Sequence, residues 1–81
     1  MKLKDVIELA AARMQNVSIE VDTAYETVCI SEAGHDDIFM QGDDASQFIA
    51  QAEELYNKDG DVSMDDCYAC LAEPYCECIW E

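Results

Sequence analysis

The chain has 81 residues, of which 51% are hydrophobic, and its 19 acidic residues stand against four lysines and arginines, which gives a net charge of −15. A chain of this length forms one small domain with a modest core, and its apolar content is higher than that of an acidic disordered tail. Such a charge repels nucleic acids and anionic membranes, so we expect direct binding to neither. The composition therefore predicts a single folded domain over residues 1–81 with basic partners.

The N-terminal segment predicts an amphipathic helix over residues 3–15. Its apolar stripe consists of Leu3, Val6, Ile7, Ala10 and Met14. Charged residues interrupt every apolar run near the N-terminus, and no later run approaches the roughly 18 apolar residues of a membrane span. We therefore expect a cytoplasmic protein.

The next segment predicts three short strands. Val17, Ile19 and Val21 alternate with polar residues, and "AYETVCIS" continues with β-branched and aromatic residues after a turn at Asp22 and Thr23. The stretch "DIFMQ" predicts a third strand, reached through the turn residues "EAGHDD". Connections this short predict an antiparallel meander.

Helical spacing returns after Gly42. Asp44 is the predicted N-cap of the second helix, with Gln47 as its capping-box partner. The turn "NKDGD" ends that helix, and Ser63 with Asp66 predicts a second capping box at the start of a third. Pro74 interrupts it, so "PYCECIW" is predicted to be a short separate helix or a packed tail. The expected fold is α+β: an N-terminal helix, a three-stranded antiparallel meander, and two or three C-terminal helices.

Four cysteines close to the C-terminus raise the question of a metal site. They are Cys67, Cys70, Cys76 and Cys78. Four thiolates hold zinc tetrahedrally, but structural zinc sites usually separate their two halves by a longer loop. The predicted third helix turns Cys67 inward, and a cytoplasmic compartment keeps thiols reduced. Reduced, structural cysteines without a cofactor are therefore favoured, with metal binding and disulfide formation as the alternatives.

Two motifs point weakly to other chemistry. The turn Asn57–Asp65 resembles an EF-hand calcium loop, but Val62 stands where that loop needs glycine and Tyr68 where it needs a closing glutamate. We expect an acidic turn between helices, and a small metal-binding or regulatory module remains the alternative function. His35 has no identifiable nucleophile partner, so we expect an exposed turn histidine and no enzymatic activity.

The acidic residues carry the functional prediction. Residues 14–81 hold 17 acids against the single base Lys58, a net charge of −16. Duplex DNA presents one negative charge about every 1.7 Å of its axis, and a row of carboxylates on one surface would resemble it. The alternative is a solvated acidic shell that confers solubility or adaptation to high salt. The candidate partner-binding residues are Asp36, Asp37, Asp43, Asp44, Glu53, Glu54, Asp59, Asp61, Asp65, Asp66 and Glu73.

A short meander followed by acidic helices, with "FMQGDDASQFIAQAEELY" leading from strand to helix, resembles the small acidic anti-CRISPR proteins of phages and mobile elements. The resemblance covers residues 17–66 and consists of architecture and charge. It implies a non-enzymatic inhibitor that docks carboxylates onto the guide-binding or DNA-binding lysines of a CRISPR effector. Tyr56, Tyr75 and Trp80 are the expected apolar anchors of such an interface.

Overall fold

The computed structural model describes residues 2–76 and confirms the predicted α+β layout. Its elements are α1 (Leu3–Arg13), β1 (Val17–Asp22), β2 (Thr27–Glu32), β3 (Ile38–Gln41), α2 (Asp43–Lys58), α3 (Met64–Ala72) and a short 3-10 helix (Glu73–Tyr75). The principal extents of 32 × 32 × 14 Å are those of a flat, two-layered body. No helix among residues 2–76 has both the length and the apolar character needed to cross a membrane.

The three strands form an antiparallel sheet in the order β1-β2-β3, with apolar residues in register on one face. Ile30 of β2 pairs with Ile19 on one side and with Ile38 on the other, and the β2 residues Val28 and Ile30 are at most 1% exposed. Because side chains alternate along a strand, the opposite face carries polar residues, the half-buried Cys29 and the exposed Phe39. The apolar face must therefore be covered by helices.

The helices form one layer over that face. α3 packs between α1 and α2, and α2 also contacts β2 and β3. The main core lies between sheet and helices, and includes a stacked pair of rings, Phe48 and Tyr68, whose centroids are 6.1 Å apart. A second cluster joins the helices to each other through Ile7, Ala52, Val62 and Cys67.

The first hairpin differs from the prediction. Residues 23–26 form the turn, although Ala24, Tyr25 and Glu26 were expected in a strand. The carboxylate of Asp22 accepts hydrogen bonds from the backbone N–H groups of Ala24, at 3.0 Å, and Tyr25, at 3.2 Å. Glu26 then adopts a positive φ of 53°. The aspartate side chain thus satisfies backbone donors that a strand would have used, and it ends β1.

The N-cap predicted at Asp44 is wrong, whereas the cap predicted at Ser63 is confirmed. α2 begins one residue earlier, at Asp43, and its N-cap is Gly42, whose φ of 62° suits a residue without a side chain. Asp43 and Asp44 both lie in the first turn, where a negative charge is favourable next to the helix dipole. At α3, the Ser63 hydroxyl accepts a hydrogen bond from the Asp66 N–H at 3.1 Å.

Val62 explains why the turn between α2 and α3 departs from a calcium loop. Its side chain is 5% exposed and belongs to the cluster that joins the helices. The valine therefore anchors the turn in the core, at the position where a calcium loop uses glycine to bend freely.

We expect Val62→Ala to lower the free energy of unfolding by about 2 kcal/mol, because it leaves a cavity among the helices. Val6→Ala is the matched control, since it removes the same methyl groups from a side chain that is exposed on α1. That control should change stability by less than about 0.5 kcal/mol. Urea unfolding followed by circular dichroism measures both, and equal losses would show that Val62 does not anchor the turn.

Candidate functional site

The acids predicted near the sheet occupy its two ends. Asp36 and Asp37 precede β3, whereas Asp43 and Asp44 follow it. β3 has four residues, so the two pairs are separated by at least about 10 Å along the strand. The four carboxylates therefore do not form a single cluster.

Asp43 and Asp44 lie instead close to the hairpin between β1 and β2. The hydroxyl of Ser46, in the first turn of α2, donates a hydrogen bond to Glu26 at 2.9 Å. Asp22 is in register with Thr27, which pairs with Gln41 just before α2. Asp22 and Glu26 thus lie at the same end of the sheet as Asp43 and Asp44. Their position there depends on the hairpin register, which the sequence alone does not give.

The outer side of α2 carries the next group of acids. Asp43 and Glu54 are eleven residues apart, close to three helical turns, so they lie on the same side of the helix about 16 Å apart. Glu53 is also exposed. Lys58 is the one base on this helix, and its Nζ lies 3.2 Å from Glu54. The 16 residues of α2 extend this acidic side over about 24 Å.

The turn after α2 continues the acidic side. The Asp59 carboxylate accepts a hydrogen bond from the Asp61 N–H at 3.2 Å, which orders the turn. Asp61 is 80% exposed and approaches Lys4 of α1 at 3.9 Å. We call the carboxylates along α2 and this turn the acidic ridge. It consists of Asp43, Asp44, Glu53, Glu54, Asp59 and Asp61.

The remaining predicted acids lie apart from the ridge. Asp65 and Asp66 border a groove together with Ala11 of α1 and Val17 of β1. Glu73 is bonded to Arg13, and its side chain is only 18% exposed. These three carboxylates therefore face the α1 side of the molecule, and the charge of Glu73 is offset by its partner.

A buried acid next to His35 was not anticipated. The Glu32 side chain is only 6% exposed, and its Oε1 lies 3.3 Å from His35 Nε2. His35 does lie in a turn, as expected, but it is held against this carboxylate. The signal was present in the sequence, because the period of two that turns Val28 and Ile30 inward also turns Glu32 inward.

Glu32 and His35 line a cleft of about 240 Å³ at this end of the sheet, which we call the Glu32 cleft. Its lining residues are Ile30, Glu32, His35, Asp36, Ile38 and Tyr75. Tyr75 also lines a second groove, which it shares with Asp44 and Gln51 on the flank of α2. Tyr75 therefore connects the Glu32 cleft with the side of the molecule that carries the acidic ridge.

Cys29, Cys67 and Cys70 are free thiols, and Cys67 and Cys76 are buried. Burial first, and then the negative charge of Asp66, raise the pKa of the Cys67 thiol. Burial and Glu73 likewise raise the pKa of Cys70. Both thiols are therefore protonated at neutral pH, which disfavours redox chemistry. Cys78 lies outside the described residues, and within them no three potential ligands are grouped around a common metal position.

Comparison with protein-family models, with curated proteins and with solved structures finds no match to this chain. The resemblance to anti-CRISPR proteins therefore rests on architecture and charge and stays a prediction.

The raised thiol pKa of Cys67 predicts that stability falls in alkaline solution. Between the unfolded pKa of about 8.5 and the higher folded pKa, the unfolded chain loses its thiol proton first. The unfolded state is then favoured as the pH rises. Urea unfolding at intervals from about pH 8 to about pH 10.5 measures this decline.

Cys67→Ala serves as the control for that experiment. The variant should be less stable at every pH because of the lost packing, but its stability should fall less steeply with pH than that of the parent. An identical slope in both proteins would show that the Cys67 thiol does not contribute.

Proposed function

We propose that this protein is a non-enzymatic inhibitor that occupies the basic nucleic-acid-binding site of another protein, using the acidic ridge in place of phosphates. The resemblance to anti-CRISPR proteins suggests a CRISPR effector as the partner. The observation that carries the proposal is the acidic ridge, which has carboxylates at both ends of α2 and in the turn that follows it.

The charge density of the ridge supports the proposal. One DNA strand places a phosphate about every 3.4 Å along the axis, or about seven over the 24 Å of α2. The ridge offers four carboxylates on α2 and two more in the following turn, and two of these six, Glu54 and Asp61, lie close to the bases Lys58 and Lys4. A groove of lysines and arginines that accommodates phosphates at this density would also meet the ridge with opposite charge.

The position of the bases gives the molecule a charged side and a more neutral side. Three of the four bases belong to the segment around α1, where Lys4 approaches Asp61 and Arg13 pairs with Glu73. The hairpin end and the outer side of α2 have no such neighbours except Lys58. Long-range attraction would therefore orient a basic partner towards α2 before contact.

Exposed aromatic rings provide apolar contacts that charge alone lacks. Tyr56 on α2 is 40% exposed and Tyr75 is 50% exposed, so both rings are accessible to a partner. Aromatic side chains are enriched among the residues that dominate binding energy at interfaces. Trp80, the third predicted anchor, lies outside the described residues.

The first test is the salt dependence of binding. A partner captured from nuclease-treated lysate of CRISPR-bearing cells should be displaced by its own nucleic acid. Its affinity for this protein should fall at least about tenfold between 50 and 200 mM salt, because carboxylates that replace phosphates depend on the same screened charges. Affinity that is independent of salt would contradict the proposal.

The second test compares two sets of three charge-neutralising substitutions. Asp43→Asn with Glu53→Gln and Glu54→Gln removes three ridge charges, and should weaken binding of the partner by about 10- to 100-fold. Asp5→Asn with Glu8→Gln and Glu20→Gln removes the same charge from exposed residues elsewhere.

The two sets are matched for stability, since each contains one first-turn aspartate that favours its helix. The control set should weaken binding by no more than about threefold, through net charge alone. Equal losses in the two sets, measured by competition with a labelled duplex, would show that no particular surface carries the binding.

A further inference from the structure

We propose that the Glu32 cleft receives the guanidinium group of an arginine side chain from the basic partner. The inference rests on the proposed function for the source of the arginine, but the chemistry of the cleft is independent of it. The cleft is separate from the acidic ridge, since it lies at the opposite end of β3 from Asp43 and Asp44.

The walls of the cleft combine negative charge with apolar surface. Glu32 supplies a carboxylate that is 94% removed from water, and its Oε1 is held 3.3 Å from His35 Nε2. Asp36 adds a second carboxylate at the exposed rim, and no lysine or arginine of residues 2–76 lines the cleft. Ile30 and Ile38 form apolar walls. A cation with apolar surface is the ligand that satisfies both kinds of wall.

Guanidinium fits this description better than ammonium. It is more weakly hydrated, so transferring it into a partly buried site costs less, and its planar fork directs several N–H donors towards carboxylates. Its flat face also stacks on aromatic rings, and the ring of Tyr75 borders the cleft. The methylene stem of an arginine would contact Ile30 and Ile38.

The size of the cleft agrees with this ligand. Its volume of about 240 Å³ corresponds to about eight water molecules at the volume of about 30 Å³ that each occupies in the liquid. An arginine side chain has about seven non-hydrogen atoms. The volume of the cleft is therefore large enough for one such side chain.

Tyr75 connects this site to the acidic ridge. The same ring borders the Glu32 cleft and the groove that runs beside Asp44 and Gln51 of α2. A basic surface that lies along α2 would therefore reach the cleft with a side chain extended past Tyr75. The ridge would attract the partner, and the cleft would accept one specific arginine.

The experiment titrates the isotope-labelled full chain with acetyl-arginine amide, a probe with one positive charge, and follows the methyl groups of Ile30 and Ile38 by NMR. These methyl signals should shift in a saturable manner. Acetyl-lysine amide, which carries the same charge, should bind at least about threefold more weakly. Shifts that do not saturate, or equal binding of the two probes, would overturn the proposal, since either would show only non-specific charge attraction.

Two variants locate the probe. Glu32→Gln keeps the shape of the side chain and should weaken binding of acetyl-arginine amide about tenfold, because it removes the charged acceptor. Glu8→Gln makes the same chemical change at an exposed residue of α1, outside the acidic ridge, and should leave the affinity unchanged. Equal affinities for both variants and the parent would place the probe outside the Glu32 cleft.

A third variant protects the test against a folding defect in Glu32→Gln. Tyr75 is half exposed, so Tyr75→Leu should fold, and loss of the stacking face should weaken binding about threefold.

If the probe binds in the cleft but the salt-sensitive partner is never found, the proposed function fails and this inference stands. If the partner binds the ridge but the probe does not enter, this inference alone fails.

Discussion

The structure depends on covering one apolar face of a three-stranded sheet. Val28 and Ile30 of the central strand are almost completely buried, and the helices are the only cover within the described residues. α3 lies between α1 and α2 and joins the helical layer into one unit. A chain of 81 residues has little apolar surface to bury, so this one interface must offset the repulsion among 19 acidic residues.

The same packing converts an asymmetry of the sequence into an asymmetry of the surface. The bases Lys4 and Arg13 belong to the N-terminal segment, and α1 packs against α3. Their partners, Asp61 and Glu73, are therefore acids that precede or follow α3. The acids of α2 and the hairpin lie away from these two bases. The packing of α3 beside α1 thus decides which acids the α1 bases reach, and Asp61 is the one ridge residue among them.

Alternation and helical spacing were sufficient to predict the order and type of the three strands and the three α-helices. Local side-chain hydrogen bonds set several boundaries and were harder to predict. Asp22 bonds two backbone N–H groups and turns the chain before Tyr25, although Tyr25 itself favours a strand. Gly42 rather than Asp44 caps α2, because the turn after β3 requires a positive φ at that residue.

The candidate sites could be predicted only in part from the sequence. The spacing along α2 does place Asp43 and Glu54 on one side, but which acids share a surface depends on the tertiary contacts of α1. Conversely, Glu73 was included among the binding residues because nothing in the sequence indicated its pairing with Arg13, 60 positions away. The Glu32–His35 pair could be predicted in part, since strand alternation indicates the burial of Glu32 but not the cleft beside it.

The two proposed surfaces would make different contributions to recognition. Exposed carboxylates attract any basic protein, and their interactions are screened by salt, so a ridge alone discriminates poorly among partners. The carboxylate of Glu32 is buried beside His35 and has already lost most of its hydration. It would therefore bind only a cation that fits between Ile30, Ile38 and Tyr75. Selectivity would then come from the rigid end of the sheet, while the speed of association would come from α2.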